Sequence, residues 1–230
     1  MNIDCTSLVE KKLKERNIVT EEINGIDSDL LEKTVPNPDG GGDYTSYTWL
    51  RKCEKFRKIC LGKGGNKEIG YGYAGTIFSD DKYDLPIFAY DIREIRGRIL
   101  IVLDIKPVLR NDEYLAKYVE PLKAIQDEYK ELENKHLKAT WTAEFRSGNG
   151  IHCMAEAQHE ERVKEAFLKY LDLYLDFAEK AEPVSEKTRE EIKKFMAYYT
   201  AIYKEKDPGA IHTIKFFGKD WAERHLDILF

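Results

Sequence analysis

The sequence predicts an α/β fold, a three-layer α/β/α sandwich around a central antiparallel sheet. Three observations carry that expectation. Strand-like runs crowd the middle of the chain, while helical stripes occupy its ends. Residues 86–106 read as a hairpin closed at Arg96-Gly97. Its return run, Ile99 to Leu103, is apolar on both faces, as in a strand covered on both sides. No internal repeat or linker interrupts the 230 residues, so residues 1–230 are read as one domain.

In chain order, residues 5–33 are charged and loosely helical, with Leu8, Leu13 and Ile18, then Leu30 and Leu31. The stretch from Pro36 to Gly42 is a loop. Strand character begins at Tyr44 and continues through Tyr47, Trp49, Phe56, Ile59 and Leu61. Gly62 to Asn66 reads as a turn, and Ile69 to Phe78 resumes with aromatics and glycine. After the hairpin, Leu115, Val119, Leu122, Ile125, Tyr129 and Leu132 repeat at helical spacing, predicting one helix over 112–134. Trp141 to Ala155 reads as one or two strands. Two further stripes follow: Val163, Phe167, Tyr170, Leu171, Tyr174 and Phe177, then Ile192, Phe195, Met196, Tyr199 and Tyr203. Asp207-Pro208 breaks the chain, and one or two short helices end it.

Composition narrows the function. The net charge of −5 gives no basic stripe for nucleic acid. No run of about 18 apolar residues predicts a membrane span, and the first five residues lack the basic and apolar regions of a signal peptide. Cys5, Cys53, Cys60 and Cys153 form no Cys-x-x-Cys pair, so free thiols in a reducing cytoplasmic setting are expected. The five histidines show no metal spacing. Gly70-Tyr71-Gly72-Tyr73-Ala74-Gly75 fits G-x-G-x-x-G, but no helix start follows to receive a pyrophosphate, so a glycine strand passing close to a neighbour is the better reading. Gly62-Lys63-Gly64-Gly65 lacks the Gly-Lys-Ser/Thr ending of a phosphate loop.

Three carboxylates stand out. Asp91 lies within Leu85-Pro86-Ile87-Phe88-Ala89-Tyr90-Asp91-Ile92. An uncompensated carboxyl group in an apolar wall holds its proton more readily, which suits proton donation near neutral pH. Alternatively Asp91 points outward or pairs with Arg93, Arg96 or Arg98; period two puts Arg93 on its face together with Ile87, Ala89 and Ile95. Asp104 ends the return strand and is expected to hydrogen-bond the loop beyond it. Asp207 before Pro208 reads as a helix N-cap, or as a side chain facing a cleft. His152, among Ile151, Cys153 and Met154, reads as a core or pocket histidine.

Several blocks together resemble the ferredoxin-dependent bilin reductases. They are Phe56-Arg57-Lys58, Phe78, the run from Leu85 to Asp91, and Leu103-Asp104-Ile105-Lys106-Pro107. Tyr199, Tyr203, Asp207-Pro208, Phe217-Gly218-Lys219-Asp220-Trp221-Ala222-Glu223-Arg224 and Leu229-Phe230 complete the set. The resemblance covers roughly residues 45–230 and leaves 1–43 poorly matched. It implies an open-chain tetrapyrrole, biliverdin or a relative, held between the sheet and the C-terminal helices. It implies no bound cofactor or metal, single electrons from reduced ferredoxin, and protons from carboxyl groups. Asp91 falls on the family's central proton-donor position and Asp207 on a second carboxylate. The Glu and His used by the phycocyanobilin-forming branch fall on Gly62 and Ala74, so the pair is absent. Chemistry of the Asp–Asp type, as in phycoerythrobilin or phytochromobilin synthesis, is the better match.

The family's propionate-binding basic residues do not map cleanly onto this sequence; Arg146 and His152 are taken as their substitutes, and Tyr90 and Phe88, within the matched block, are read as substrate-binding. Arg51, Lys52, Lys55, Arg57 and Lys58 offer a basic patch for acidic ferredoxin, or a solvated strand edge. A monomer is expected. A red chlorophyll catabolite reductase-like enzyme and a non-catalytic bilin carrier are the alternative readings.

Overall fold

The structure, a computed structural model, describes residues 3–132 and 141–230. Eight antiparallel strands form one sheet, and helices cover both of its faces. The order is β1 (Glu21–Glu22), β3 (Asp43–Lys52), β4 (Phe56–Asn66), β5 (Gly70–Ser79), β6 (Ile87–Ile95), β7 (Arg98–Lys106) and β8 (Ile151–Glu156), with β2 (Glu32–Pro36) also on β3. The β6–β7 turn is where the sequence puts it. Arg96 (φ 51°) and Gly97 (φ 73°) are both left-handed, as a two-residue hairpin loop requires. That turn fixes the register Ile95↔Arg98 and therefore Asp91↔Val102.

One face of the sheet is the main core. α1 (Cys5–Glu15) starts at Asp4, whose side chain accepts from Ser7 N, and packs with α5 (Glu160–Lys180). α5 buries Val163, Phe167, Tyr170, Leu171 and Tyr174, the predicted stripe apart from half-buried Phe177. Phe88 and Tyr90 of β6 meet Phe167 at ring distances of 6.0 and 5.0 Å. Each such large side chain gives about 1.5–3 kcal/mol on burial. Gly75, opposite Tyr90 on β5, lets that ring lie flat, since a Cβ there would stand 2.6 Å from it. The close-passing glycine strand is thus present.

The other face carries α6 (Glu186–Lys206), α7 (Gly209–Phe217) and α8 (Lys219–Leu229), with α2 (Ser28–Leu31) against α8. Ile192, Tyr199 and Tyr203 of α6 are buried. None of the side chains of α7 is.

Four local expectations change. The predicted helix over 112–134 is two helices, α3 (Asp112–Tyr118) and α4 (Leu122–Glu128), followed by a single 3-10 turn at Lys130–Leu132. Pro121 stands at the break, where its missing N–H ends the helical ladder. Residues 133 and 134 lie outside the described residues, as does His136. Gly62 to Asn66 is strand, not turn; the reversal falls after it, where Asn66 Oδ1 accepts from Glu68 N and Ile69 N. Of 141–155 only the part from Ile151 is strand, because Ser147-Gly148-Asn149-Gly150 cannot sustain a ladder. Residues 5–33 hold two helices and strand β1 between them. No helix among the described residues is long and apolar enough to cross a membrane.

Candidate active site

Directly opposed residues in an antiparallel sheet share a face. The registers therefore define a row across six strands: Thr48, Gly62, Ala74, Asp91, Val102 and His152. The neighbouring row holds Gly64, Gly72 and Arg93. Beside Asp91 the sheet is thus nearly bare, with Gly62, Gly64, Gly72 and Ala74 forming a flat floor. This is the face of α6, α7 and α8, as Thr48 Oγ1 meets His225 of α8 at 2.9 Å. Tyr44 of β3 stands at the edge of the floor, its hydroxyl over Gly64 and its ring 4.4 Å from Phe216 of α7.

Asp91 is not held bare in an apolar wall. Arg93 grips it through two bonds of 2.7 Å, Nε to Oδ1 and Nη2 to Oδ2. The side chains are 30% and 37% exposed for Asp91 and Arg93. The salt-bridged alternative is the one the fold adopts, for the reason period two gives: residues two apart on a strand point the same way.

Asp207 sits where α6 ends and α7 begins. Its Oδ1 accepts from Gly209 N at 2.8 Å, so it caps the turn into α7, with the helix starting one residue later than expected. The cleft reading holds as well. Burial pushes its carboxyl above the usual range and the charge of Asp91 adds to this, against the Gly209 bond, Arg93 and Lys106. Asp91, Arg93, Lys106 and Asp207 therefore share one field.

Lys106 is buried beneath α6, with Nζ 3.2 Å from Tyr199 Oη and 2.5 Å from Tyr203 Oη. Among the described residues no carboxylate lies within 4.0 Å of it. Burial pushes the Tyr199 phenol well up, and Tyr203 and Asp207 push it further. Asp104 is fully buried and holds the loop after 145, as expected, through Ser147 N at 3.1 Å and Ser147 Oγ. It also meets His152 Nε2 at 3.3 Å.

The structure separates the remaining predicted residues. His152 joins the row of Asp91. Arg146 is half-buried near the C-terminal helices, its Nε bonded to Thr142 Oγ1 at 3.2 Å. Tyr90 and Phe88 do not join Asp91: an odd separation along β6 turns them to the opposite face, against α5. The basic patch is mostly engaged. Arg51 pairs with Glu22 at 3.1 Å, Lys52 with Glu21 at 3.9 Å, and Lys55 Nζ caps the end of α5 on Ala178 O, Glu179 O and Ala181 O. Lys58 Nζ donates to Ile228 O, and burial lowers it to about 8.

Sequence reasoning offered Arg93 as one of three possible partners of Asp91 and missed Lys106 as a site residue. A signal for both existed. Counting from the two-residue turn places 102, 104 and 106 on the face of 91 and 93. Among the described residues no group of His, Cys, Asp and Glu is arranged to hold a metal ion. The four thiols are free, with Cys60 pushed up by burial to about 12. A cavity of about 430 Å³ on the α1 side, lined by Asp4, Glu10, Lys63 and Tyr71 among others, lies across the sheet from these groups.

Residues 12–230 match the family model described as ferredoxin-dependent bilin reductase, so the match reaches into the N-terminal segment that the motifs left uncovered. Similar curated proteins include a 15,16-dihydrobiliverdin:ferredoxin oxidoreductase of Gloeobacter violaceus, 28% identical over 212 residues, with 86% of each chain covered. A phycoerythrobilin:ferredoxin oxidoreductase of Nostoc punctiforme is 34% identical over 195 residues, covering 79% of this chain and 72% of that one. Among solved structures, phytochromobilin synthase from tomato in complex with biliverdin has the same fold, with a TM-score of 0.84 at 19% identity, covering 97% of this chain and 81% of that one.

Proposed function

Since the chain belongs to the ferredoxin-dependent bilin reductases, and so to the oxidoreductases acting on bilin CH–CH groups, we propose that it reduces biliverdin or a dihydrobiliverdin with Asp91 and Asp207 as proton donors. The observation that supports this most is the flat floor with Asp91 rising from it. A conjugated ring needs a smooth surface at van der Waals distance, and Gly62, Gly64, Gly72 and Ala74 provide one. The layer above is α7, none of whose side chains is buried, while Tyr44 lies over Gly64 and Arg93 over Gly72.

Each double bond reduced takes up two electrons and two protons. Reduced ferredoxin supplies the electrons one at a time, with a bilin radical between the two transfers. Burial raises the Asp207 carboxyl above its usual range, which suits a donor. Asp91 is aimed by Arg93, whose bidentate grip fixes the plane of the carboxyl group and stabilises the anion left when its proton is given up. Gly62 and Ala74 stand in register beside Asp91, where the phycocyanobilin branch has its Glu and His. With neither group present, the two aspartates serve a reduction of the phycoerythrobilin or phytochromobilin type.

Anaerobic mixing with biliverdin and reduced ferredoxin tests the reading. The bilin absorption spectrum should move to that of a shorter conjugated system. Binding without spectral change under reduction would support a carrier. Turnover of an open-chain chlorophyll catabolite in place of biliverdin would support the red chlorophyll catabolite reading.

A further inference from the structure

His152 is arranged as more than a wall residue. Asp104, which binds it, has no exposure to solvent, and burial alone would favour its neutral form. Hydrogen bonds from His152 and Ser147, with the charges of His152 and Lys106, outweigh burial and hold the carboxyl below its usual range. The carboxylate thus accepts from Nε2–H at 3.3 Å and sets the ring's orientation. The other nitrogen, Nδ1, is shielded from solvent and has no hydrogen-bond partner among the described residues, while the side chain as a whole is 11% exposed. Buried polar atoms are nearly always paired, so an unpaired one marks a position held for something else. A carboxylate on one ring nitrogen with the other left open is the arrangement that prepares a histidine for proton transfer.

Placement gives this pair a role. His152 stands on the row of Asp91, across Val102. Two strand spacings separate them, about 10 Å on one face. A flat tetrapyrrole lying on the floor spans that distance and more. The titratable groups around the pair are Asp104 and Lys106 on β7, Asp91 on β6, and Tyr199 and Tyr203 on α6.

We propose that His152, positioned by Asp104, is a third proton-exchanging group of this site and serves a part of the bilin that Asp91 does not reach. The proposal rests on the bilin-reductase reading above. In the step, imidazolium His152 gives its Nδ1 proton to a bilin carbon. The N–H bond breaks with its electron pair staying on the ring, and the C–H bond forms with electrons delivered by ferredoxin. His152 is left neutral, still donating Nε2–H to Asp104, and regains its proton from water that enters as the bilin leaves.

The test is single-turnover reduction of bound biliverdin by reduced ferredoxin, without oxygen, at pH 5 to 9. The chains compared are wild type, His152→Gln, Asp104→Asn and Asp91→Asn. His152→Gln should bind biliverdin within about threefold of wild type and slow its reduction by about 100-fold or more. One limb of the pH profile should disappear in His152→Gln and move in Asp104→Asn. His152→Gln and Asp91→Asn should stall at different partly reduced bilins, separable by chromatography. The proposal is overturned if His152→Gln matches wild type in rate and pH profile. A weaker Kd with unchanged turnover of bound bilin also overturns it, because His152 is then a binding residue. A wild-type chain that binds biliverdin and never converts it overturns the underlying functional reading instead.

Discussion

Asp91→Asn keeps the side chain's volume and one oxygen able to face Arg93, and it removes the group that can carry and give up a proton. Its cost to the fold can be bounded from the geometry. Two bonds of 2.7 Å join the pair, but the side chains are 30% and 37% exposed. Solvent screening at that exposure limits such a pair to about 1 kcal/mol. In a chain of this size that lowers the melting temperature by about 2–4 °C. It reduces the folded-to-unfolded ratio about fivefold, which leaves the population folded at assay temperature. Losing a positioned proton donor, by contrast, slows its step by about 10²–10⁴-fold, equivalent to about 2.7–5.5 kcal/mol of barrier. Rate and stability must therefore separate. The assay pairs anaerobic biliverdin reduction with thermal melting of the same samples. A variant within threefold of the wild-type rate refutes the donor role. A fall of more than about 10 °C in melting temperature refutes the view that the pair is a solvated, modest contributor.

Other changes read other parts of the site. Asp207 has a folded pKa above its unfolded value, so the folded chain holds the extra proton and stability declines as pH rises through that window. Asp207→Asn keeps an oxygen for Gly209 N, so it should match or slightly exceed wild-type melting at pH 7 while losing activity; a clear loss of stability at pH 7 counts against this. Asp104 has the opposite sign. Its stabilisation is present above the unfolded carboxylate value, about 3.9, and is lost as pH falls through the lower folded value. Asp104→Asn should cost about 2–3 kcal/mol at pH 7 by urea denaturation, with the gap closing toward pH 2. A gap that does not depend on pH contradicts this account. Gly75→Ala drives a Cβ to 2.6 Å from the Tyr90 ring and should cost about 1–3 kcal/mol through overpacking, seen as a lower urea midpoint.

The large-scale architecture was legible because its signals were strong and local. Stripes at helical spacing became α5 and α6, and the Arg96-Gly97 turn set the β6–β7 register. What failed failed for identifiable reasons. Gly62 to Asn66 looks like a turn because glycine is common there, yet these are strand residues, and Gly62 and Gly64 form part of a floor that side chains would fill. Pro121 divides a helix that periodicity alone would run through. Tyr90 and Phe88 were read as substrate-binding within the block that resembles the family, whereas strand alternation sends them to α5. Asp91 and Asp207, 116 residues apart in sequence, were brought together by resemblance alone; their shared field emerges only from the fold. The pairing of Asp104 with His152 depends on the β7–β8 register, which no local pattern discloses.

Chromatography of the pigments after anaerobic turnover of biliverdin tests the central claim most directly. Two aspartates without the Glu–His pair should give a dihydrobiliverdin or a product of the phycoerythrobilin or phytochromobilin type. Phycocyanobilin as the main product, or recovery of unchanged biliverdin from an electron-supplied, bilin-bound enzyme, would contradict it.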